Sequence, residues 1–262
     1  MGPMLRTITA TRYVTPLREG GSLPALVEAD DDGMYVLKFR GAGQGPKALI
    51  AELVGGEIAR ALGLDVPEIV LMQLDPELAR TEPDPEIQDL IRASGGLNLA
   101  LDFLPGSVTF DLLAQPPSVE LASAIVWLDA FITNVDRTAR NTNMLCWHRR
   151  LWLIDHGAAL VFHHQWEGHL ERARQPFARI RDHVLLGRAE RLADIDEPLA
   201  QRLGPDVIRR IVGLIPEAWL AADDSLGNAQ VQRDAYVQVL TSRLQAPRAF
   251  FEEAVRAQAA HV

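Results

Sequence analysis

A carboxylate opening a polar loop, an amide five residues on and a second carboxylate beyond a hairpin are side chains from which phosphoryl transfer can be built. The sequence carries such a set between Trp127 and Val161, in WLDAFITNVDRTARNTNMLCWHRRLWLIDHGAALV. Asp136 opens the polar stretch that runs to Asn143, and Asn141 follows it by five positions. Asp155 stands just past two short apolar runs, Met144 to Trp147 and Leu151 to Ile154, and the basic turn His148-Arg149-Arg150 between them marks a tight hairpin. A hairpin returns the chain to where it left, so Asp155 is expected beside Asn141. In such a set one carboxylate orients the attacking hydroxyl, while the amide oxygen and the second carboxylate hold Mg2+ on nucleotide phosphates. Asn143 is the runner-up for the amide ligand. An ordinary Asn/Asp-rich turn between a core helix and a hairpin draws on the same residue types.

The elements upstream must bring a cation to the same point. Arg6 to Leu17, Leu23 to Ala29 and Met34 to Arg40 read as three strands. The first turn holds Gly20-Gly21-Ser22, which is either a plain hairpin tip or a place where backbone N–H groups approach phosphate. Lys38 lies in the third strand among apolar neighbours and faces either solvent or a cleft. Pro46 to Leu64 carries a helical apolar stripe, ended by Gly63. Glu52, in the first half of that helix, can pair with Lys38 and hold it toward the α- and β-phosphates, whereas Glu57 is expected in solvent. The loop Gly41 to Lys47 also follows a strand and opens a helix. Pro46 stands where a dinucleotide loop needs its third glycine and where a Walker loop needs glycine before the lysine.

Downstream, Glu68 to Leu74 reads as a strand, Glu86 to Ala93 as a short amphipathic piece and Leu97 to Leu104 as a further strand closed by Pro105-Gly106. That last strand joins a β-rich half to a helical half, and its backbone can face an adenine edge. Helices are expected over Val119 to Val135, Ala189 to Leu203, Pro205 to Ile215, Leu226 to Gln245 and Ala249 to Ala259. The length suits one large domain or two joined lobes. A net charge of −9 argues against a nucleic-acid partner held by general electrostatics. The basic residues that cluster, Arg172, Arg174, Arg179 and Arg181, read as a helix face. His163, His164 and His169 make a poor metal set, because adjacent imidazoles do not easily share a tetrahedral ion. The lone cysteine, Cys146, reads as a buried inert thiol. With no signal peptide and no apolar run of membrane-spanning length, a soluble cytoplasmic protein without a membrane partner is expected.

Taken in chain order, Lys38, Glu52, Asp136, Asn141 and Asp155 resemble the HipA-like branch of the kinases, which shares an Asp-x-x-x-x-Asn loop with phosphoinositide kinases. Supporting text is Lys38-Phe39, Gln44-Gly45, Ala51-Glu52-Leu53, Leu62 to Pro67, Asn134-Val135-Asp136-Arg137 and Leu153 to Gly157. The resemblance implies an α+β, two-lobed protein-kinase-like fold in one domain over residues 1–262, with a β-rich N-lobe over about 1–103 and a mainly helical C-lobe over about 107–262. It implies Lys38 on the α/β phosphates with Glu52 as partner and Asp136 as catalytic base. Asn141 and Asp155 would hold Mg2+, Gly20-Gly21-Ser22 would cover the ATP phosphates, and Leu101, Asp102 and Phe103 would form the hinge. The activity implied is ATP- and Mg2+-dependent transfer to a Ser or Thr hydroxyl of a protein. A small-molecule or lipid kinase and a nucleotide-binding pseudokinase are the alternatives. Two residues depart from the pattern: Thr138 stands where the loop often has His, and His156 where Phe or Ile is usual. The chain is also shorter than full-length toxin kinases of the branch.

Overall fold

The computed structural model describes residues 5–17, 23–223 and 225–261. The amino-terminal part forms a closed barrel of β1 (Thr7–Pro16), β2 (Ala25–Ala29), β3 (Met34–Lys38), β4 (Ile69–Leu74) and β5 (Gly96–Asp102), in the order β1-β2-β3-β5-β4. Neighbouring strands run antiparallel except β1 and β4, whose parallel pairing of Thr7 with Leu71 and Thr9 with Gln73 closes the ring. Side chains alternate across a strand. Tyr35 and Leu37 of β3 therefore fill the barrel with Val27, Met72 and Ala100, while Lys38 leaves on the opposite face. The segment from Asp75 to Gly96 is more ordered than its prolines suggest. It holds a 3-10 turn and α2 (Pro85–Ala93), whose Ile87 and Ile91 cover the barrel.

Helix α1 (Pro46–Ala61) begins after Gly45, at φ 65°, with Pro46 in its first turn, where a missing N–H costs nothing. It belongs to the larger core of the carboxy-terminal part rather than to the barrel interior. That part comprises α3 (Val119–Ile132), a small sheet of β6 (Val108–Thr109), β7 (Met144–Trp147) and β8 (Arg150–Leu153), and the helices α4 (His169–Ala173), α5 (Leu192–Arg202), α6 (Pro205–Gly213), α7 (Glu217–Leu220), α8 (Ala229–Leu244) and α9 (Ala249–Ala259). Helix α3 is its axis. It is apolar on nearly every side, as a helix enclosed by protein must be, and its Trp127 and Phe131 pack against Phe250 of α9. Ser118 caps its start by accepting the N–H of Leu121 at 3.1 Å. It ends at Ile132, three residues short of the expected Val135, because Thr133 turns left-handed at φ 54°. The arginines expected on one helix face are not on one: α4 stops at Ala173, and Arg179 and Arg181 lie in a 3-10 turn.

Three contacts tie α1 and the barrel to the carboxy-terminal helices. Lys47 Nζ meets Asp223 Oδ2 at 2.7 Å, Arg202 Nη1 donates to the Leu62 carbonyl at 2.7 Å, and Trp219 Nε1 donates to the Leu97 carbonyl at 2.9 Å. Glycines inside α1 set how closely it docks. A Cβ at Gly55 would stand 2.9 Å from the Cβ of His156, and one at Gly56 would stand 2.6 Å from the terminal Cδ1 of Ile69. The first neighbour is fixed to the backbone, whereas the second sits at the end of a rotatable chain. Gly55→Ala is therefore expected to destabilise by about 1–3 kcal/mol from overpacking, against a helix-propensity gain of about 1 kcal/mol. Gly56→Ala should cost less or nothing. Thermal unfolding of the two variants checks the order.

Candidate active site

Lys38 emerges from the barrel wall almost wholly covered, with 8% of its surface exposed, so its charge must be met by protein. Its Nζ lies 2.7 Å from Asp155 Oδ1 and 3.7 Å from Glu52 Oε2. Burial alone would lower the Lys38 pKa, but the Glu52 and Asp155 carboxylates outweigh it and hold the ammonium above its ordinary value. Burial likewise works to raise the Glu52 carboxyl, and the Lys38 ammonium, with His156, outweighs it and brings it down. His156 has no exposed surface, and its Nδ1 stands 3.6 Å from Glu52 Oε1. The two oxygens of Glu52 thus face two different partners, Lys38 from β3 and His156 from the segment after β8.

The loop residues around Asp136 are placed by a second, deeper set of charges. Asp129 of α3, Arg137 and His183 are buried together. Arg137 Nε donates to Asp129 Oδ2 at 2.6 Å, His183 Nε2 meets the same oxygen at 2.9 Å, and Asn134 Nδ2 donates to Asp129 Oδ1 at 2.9 Å. Burial works to raise the Asp129 carboxyl, yet Arg137 and His183 hold it well below the usual carboxylate range. The other end of Arg137 donates to the carbonyl of Asn143 and, at 3.4 Å, to that of Ile154. One guanidinium therefore joins helix α3, the loop and the end of the hairpin. Asp136 sits on this frame, with its N–H donating to Asn134 Oδ1 at 3.1 Å.

Both candidate amides meet Asp136. Asn141 Nδ2 donates to its Oδ2 at 2.7 Å and Asn143 Nδ2 at 3.1 Å, so the amide oxygen of each is turned away from that carboxylate. The hairpin does not set Asn141 against Asp155 in its register. Met144 pairs with Leu153, and the Ile154 N–H donates to the Asn143 carbonyl at 3.1 Å, so Asn143 is the residue opposite the approach to Asp155. Asn141 is exposed and Asn143 buried. Asn143 and Asp155 both adopt left-handed backbone, φ 48° and 58°, conformations that non-glycine residues keep only where the surroundings fix them.

Other expected residues fall differently. Gly20, Gly21 and Ser22 lie outside the described residues. The N–H groups of Asp102 and Phe103 are already used, donating to the Glu68 carbonyl at 2.8 Å and the Met34 carbonyl at 3.0 Å, and Leu101 is buried in the core. Glu57 is not solvated: it is half-buried, 3.6 Å from Arg60, and burial raises its carboxyl pKa. His163 Nδ1 meets the Tyr236 hydroxyl and His169 Nδ1 the Trp166 carbonyl, and no group of three His, Cys, Asp or Glu among the described residues could hold a metal ion. Asp129, His183 and the role of His156 escaped the sequence reading. A carboxylate inside a run as apolar as α3 was the available signal, since such a group needs a buried partner.

Two outcomes are expected. Asp129→Asn leaves the Arg137 cation buried without a counter-charge and should cost about 3–5 kcal/mol. Because the folded Asp129 carboxyl titrates below its ordinary 3.8, its stabilisation is whole above that pH and is lost as pH falls below it. Denaturant titrations of the parent and variant down to acid pH should therefore converge. Separately, Glu52→Gln should depress activity strongly and Glu57→Gln should not, as read by initial rates on both purified proteins.

Comparison with known proteins follows the same geometry. The sequence profile of the HipA-like kinase family matches residues 11–253. No curated protein sequence matches. Among solved structures, the Helicobacter pylori proinflammatory kinase CtkA aligns with a TM-score of 0.55 at 13% identity, over 95% of this chain and 99% of that one. The Golgi casein kinase with Mn/ADP bound aligns with a TM-score of 0.53 at 13% identity, over 94% of this chain and 74% of that one. A second Golgi casein kinase structure gives 0.51 at 12% identity, over 96% of this chain and 72% of that one. At such identities the likeness speaks for a kinase-like fold, here with a barrel as its β-rich lobe. With the profile spanning nearly all of the sequence, the chain belongs to the HipA-like kinase family.

Proposed function

We propose that this kinase transfers the γ-phosphoryl group of ATP, with Mg2+, to a Ser or Thr hydroxyl of a protein acceptor in the cytoplasm. The observation that carries the reading is the meeting of buried Lys38 and Glu52 with the half-buried Asp155, beside a loop whose Asp136 is bracketed by two amides. Lys38 supplies a fixed cation for the α/β phosphates, and Glu52 keeps a flexible side chain there. Asp136 accepts both amide contacts on Oδ2, which leaves Oδ1 to take the proton of an acceptor hydroxyl.

The donor set fits a hard divalent cation. Asp155 offers a carboxylate, and Asn141 or Asn143 an amide oxygen turned away from Asp136. A cation held there neutralises phosphate charge as it develops. The Golgi casein kinase structure, which holds Mn and ADP, is consistent with nucleotide and divalent-metal use by this fold. No helix among the described residues is long and apolar enough to cross a membrane.

The roles separate experimentally. Asp136→Asn should keep Mg-ATP affinity and lose about 10²–10⁴-fold in turnover, while Asp155→Asn should lose Mg-ATP affinity itself. Calorimetric titration with Mg-ATP and transfer of labelled γ-phosphate to lysate proteins measure the two effects. Equal loss of nucleotide binding in both variants would reverse the assignment. Asn141→Ala and Asn143→Ala, compared for Mg2+ dependence, identify the amide ligand.

A further inference from the structure

We propose that a basic pocket beside the catalytic loop receives an acidic side chain of the acceptor polypeptide, close in sequence to the phosphorylated hydroxyl; this rests on the protein-kinase reading above. The pocket has a volume of about 450 Å³ and is walled by Val135, Val161, Phe162 and Phe177, with Arg172, Arg179 and Arg243 as its charged members. No Asp or Glu lines it among the described residues. This is a local reversal in a chain of net charge −9.

Arg243 is the deepest of the three, with 4% of its surface exposed. Its Nε and Nη2 donate to the Phe131 and Ala130 carbonyls at the end of α3, both at 2.7 Å, and its Nη1 donates to the Ala173 carbonyl at 2.9 Å. Burial lowers its pKa only to about 10, so the guanidinium stays cationic at neutral pH. The carbonyls and the α3 dipole accommodate that charge, but no carboxylate among the described residues is paired with it. Arg172 donates to the Gln165 carbonyl and likewise has no carboxylate partner among the described residues. Arg179 reaches Asp182 only at 3.8 Å and is largely exposed. Two guanidinium groups without a close carboxylate, sharing a pocket with a buried third between apolar walls, suit a carboxylate on a short methylene stem.

Position connects the pocket to the chemistry. Val135, one of its walls, is the residue before Asp136, and Val161 follows the Asp155 segment, its N–H held by Thr133 Oγ1 at 3.1 Å. An extended peptide advances about 3.3–3.6 Å per residue. With its hydroxyl at Asp136, such a peptide would bring a side chain one to three positions away into the pocket.

The test is a positional-scanning library of Ser/Thr peptides labelled by the full chain with γ-labelled ATP. Acidic residues should be selected within three positions of the acceptor. Arg172→Glu combined with Arg179→Glu should turn that selection toward Lys and Arg, by about fivefold per position, with Mg-ATP affinity unchanged by calorimetry. The milder Arg172→Gln and Arg179→Gln should each weaken the selection should the double reversal fail to fold. Labelling without acidic preference in the parent, or a preference that survives the arginine variants, overturns the inference and leaves the kinase reading standing. A parent that binds Mg-ATP yet labels no peptide and no lysate protein overturns both.

Discussion

The Asp129 carboxylate, sealed at the end of the central helix, is the interaction on which the site depends. It is contacted by Arg137, His183 and Asn134, residues that flank or hold the loop bearing Asp136. Because Arg137 also reaches the carbonyls of Asn143 and Ile154, loop and hairpin share one anchor. Asp136, only partly buried on its loop, needs such support, since its own burial cannot fix it. Of the neighbouring left-handed residues, Asn143 is held by Arg137 at its carbonyl, while Thr133 accepts the Val161 N–H, Asp155 meets Lys38 and the Leu160 N–H donates to the Ile132 carbonyl. Backbone strain of that kind persists only where the surroundings over-determine it.

A second constraint is the shared use of α1. Its glycines let it lie close against His156 on one side and Ile69 of β4 on the other. Glu52 then faces Lys38 with one oxygen and His156 with the other. Where a bulky apolar residue is usual after the second aspartate, this chain carries a polar one in a site without solvent. The small residue at position 55 and the imidazole at 156 are two halves of one packing solution, which couples the barrel's lysine to the segment bearing Asp155.

Much of this was legible from residue order. Alternation located the strands, the apolar stripe located α1, and the polar residues Lys38, Glu52, Asp136, Asn141 and Asp155 stood out by type. The structure gathers Lys38, Glu52 and Asp155 at one point, and Asp136 with Asn141 at another. What stayed hidden depends on three-dimensional register. The sequence marks a three-residue turn, whereas Arg150 already belongs to β8 and only His148 and Arg149, both left-handed, make the turn, so the unbroken register sets Asn143 opposite Ile154. Glu57 looked solvated because helical phase alone does not show that a second core covers that face. The His183 contact joins residues far apart in sequence, so local pattern cannot reveal it. The parallel closure of β1 on β4 is equally remote in sequence.

That closure has a consequence for how other polypeptides are met. A sheet with a free margin offers a row of unpaired N–H and C=O groups, onto which a partner can add itself as another strand. In the barrel every strand already has two neighbours, β1 included. Among the described residues the closed ring therefore leaves little template for strand addition, its main margin being Arg12 to Pro16 of β1, which pair with β2 but not with β4. Any contact made through side chains on the helical half can then drift by surface substitution there while the backbone of the ring stays unchanged.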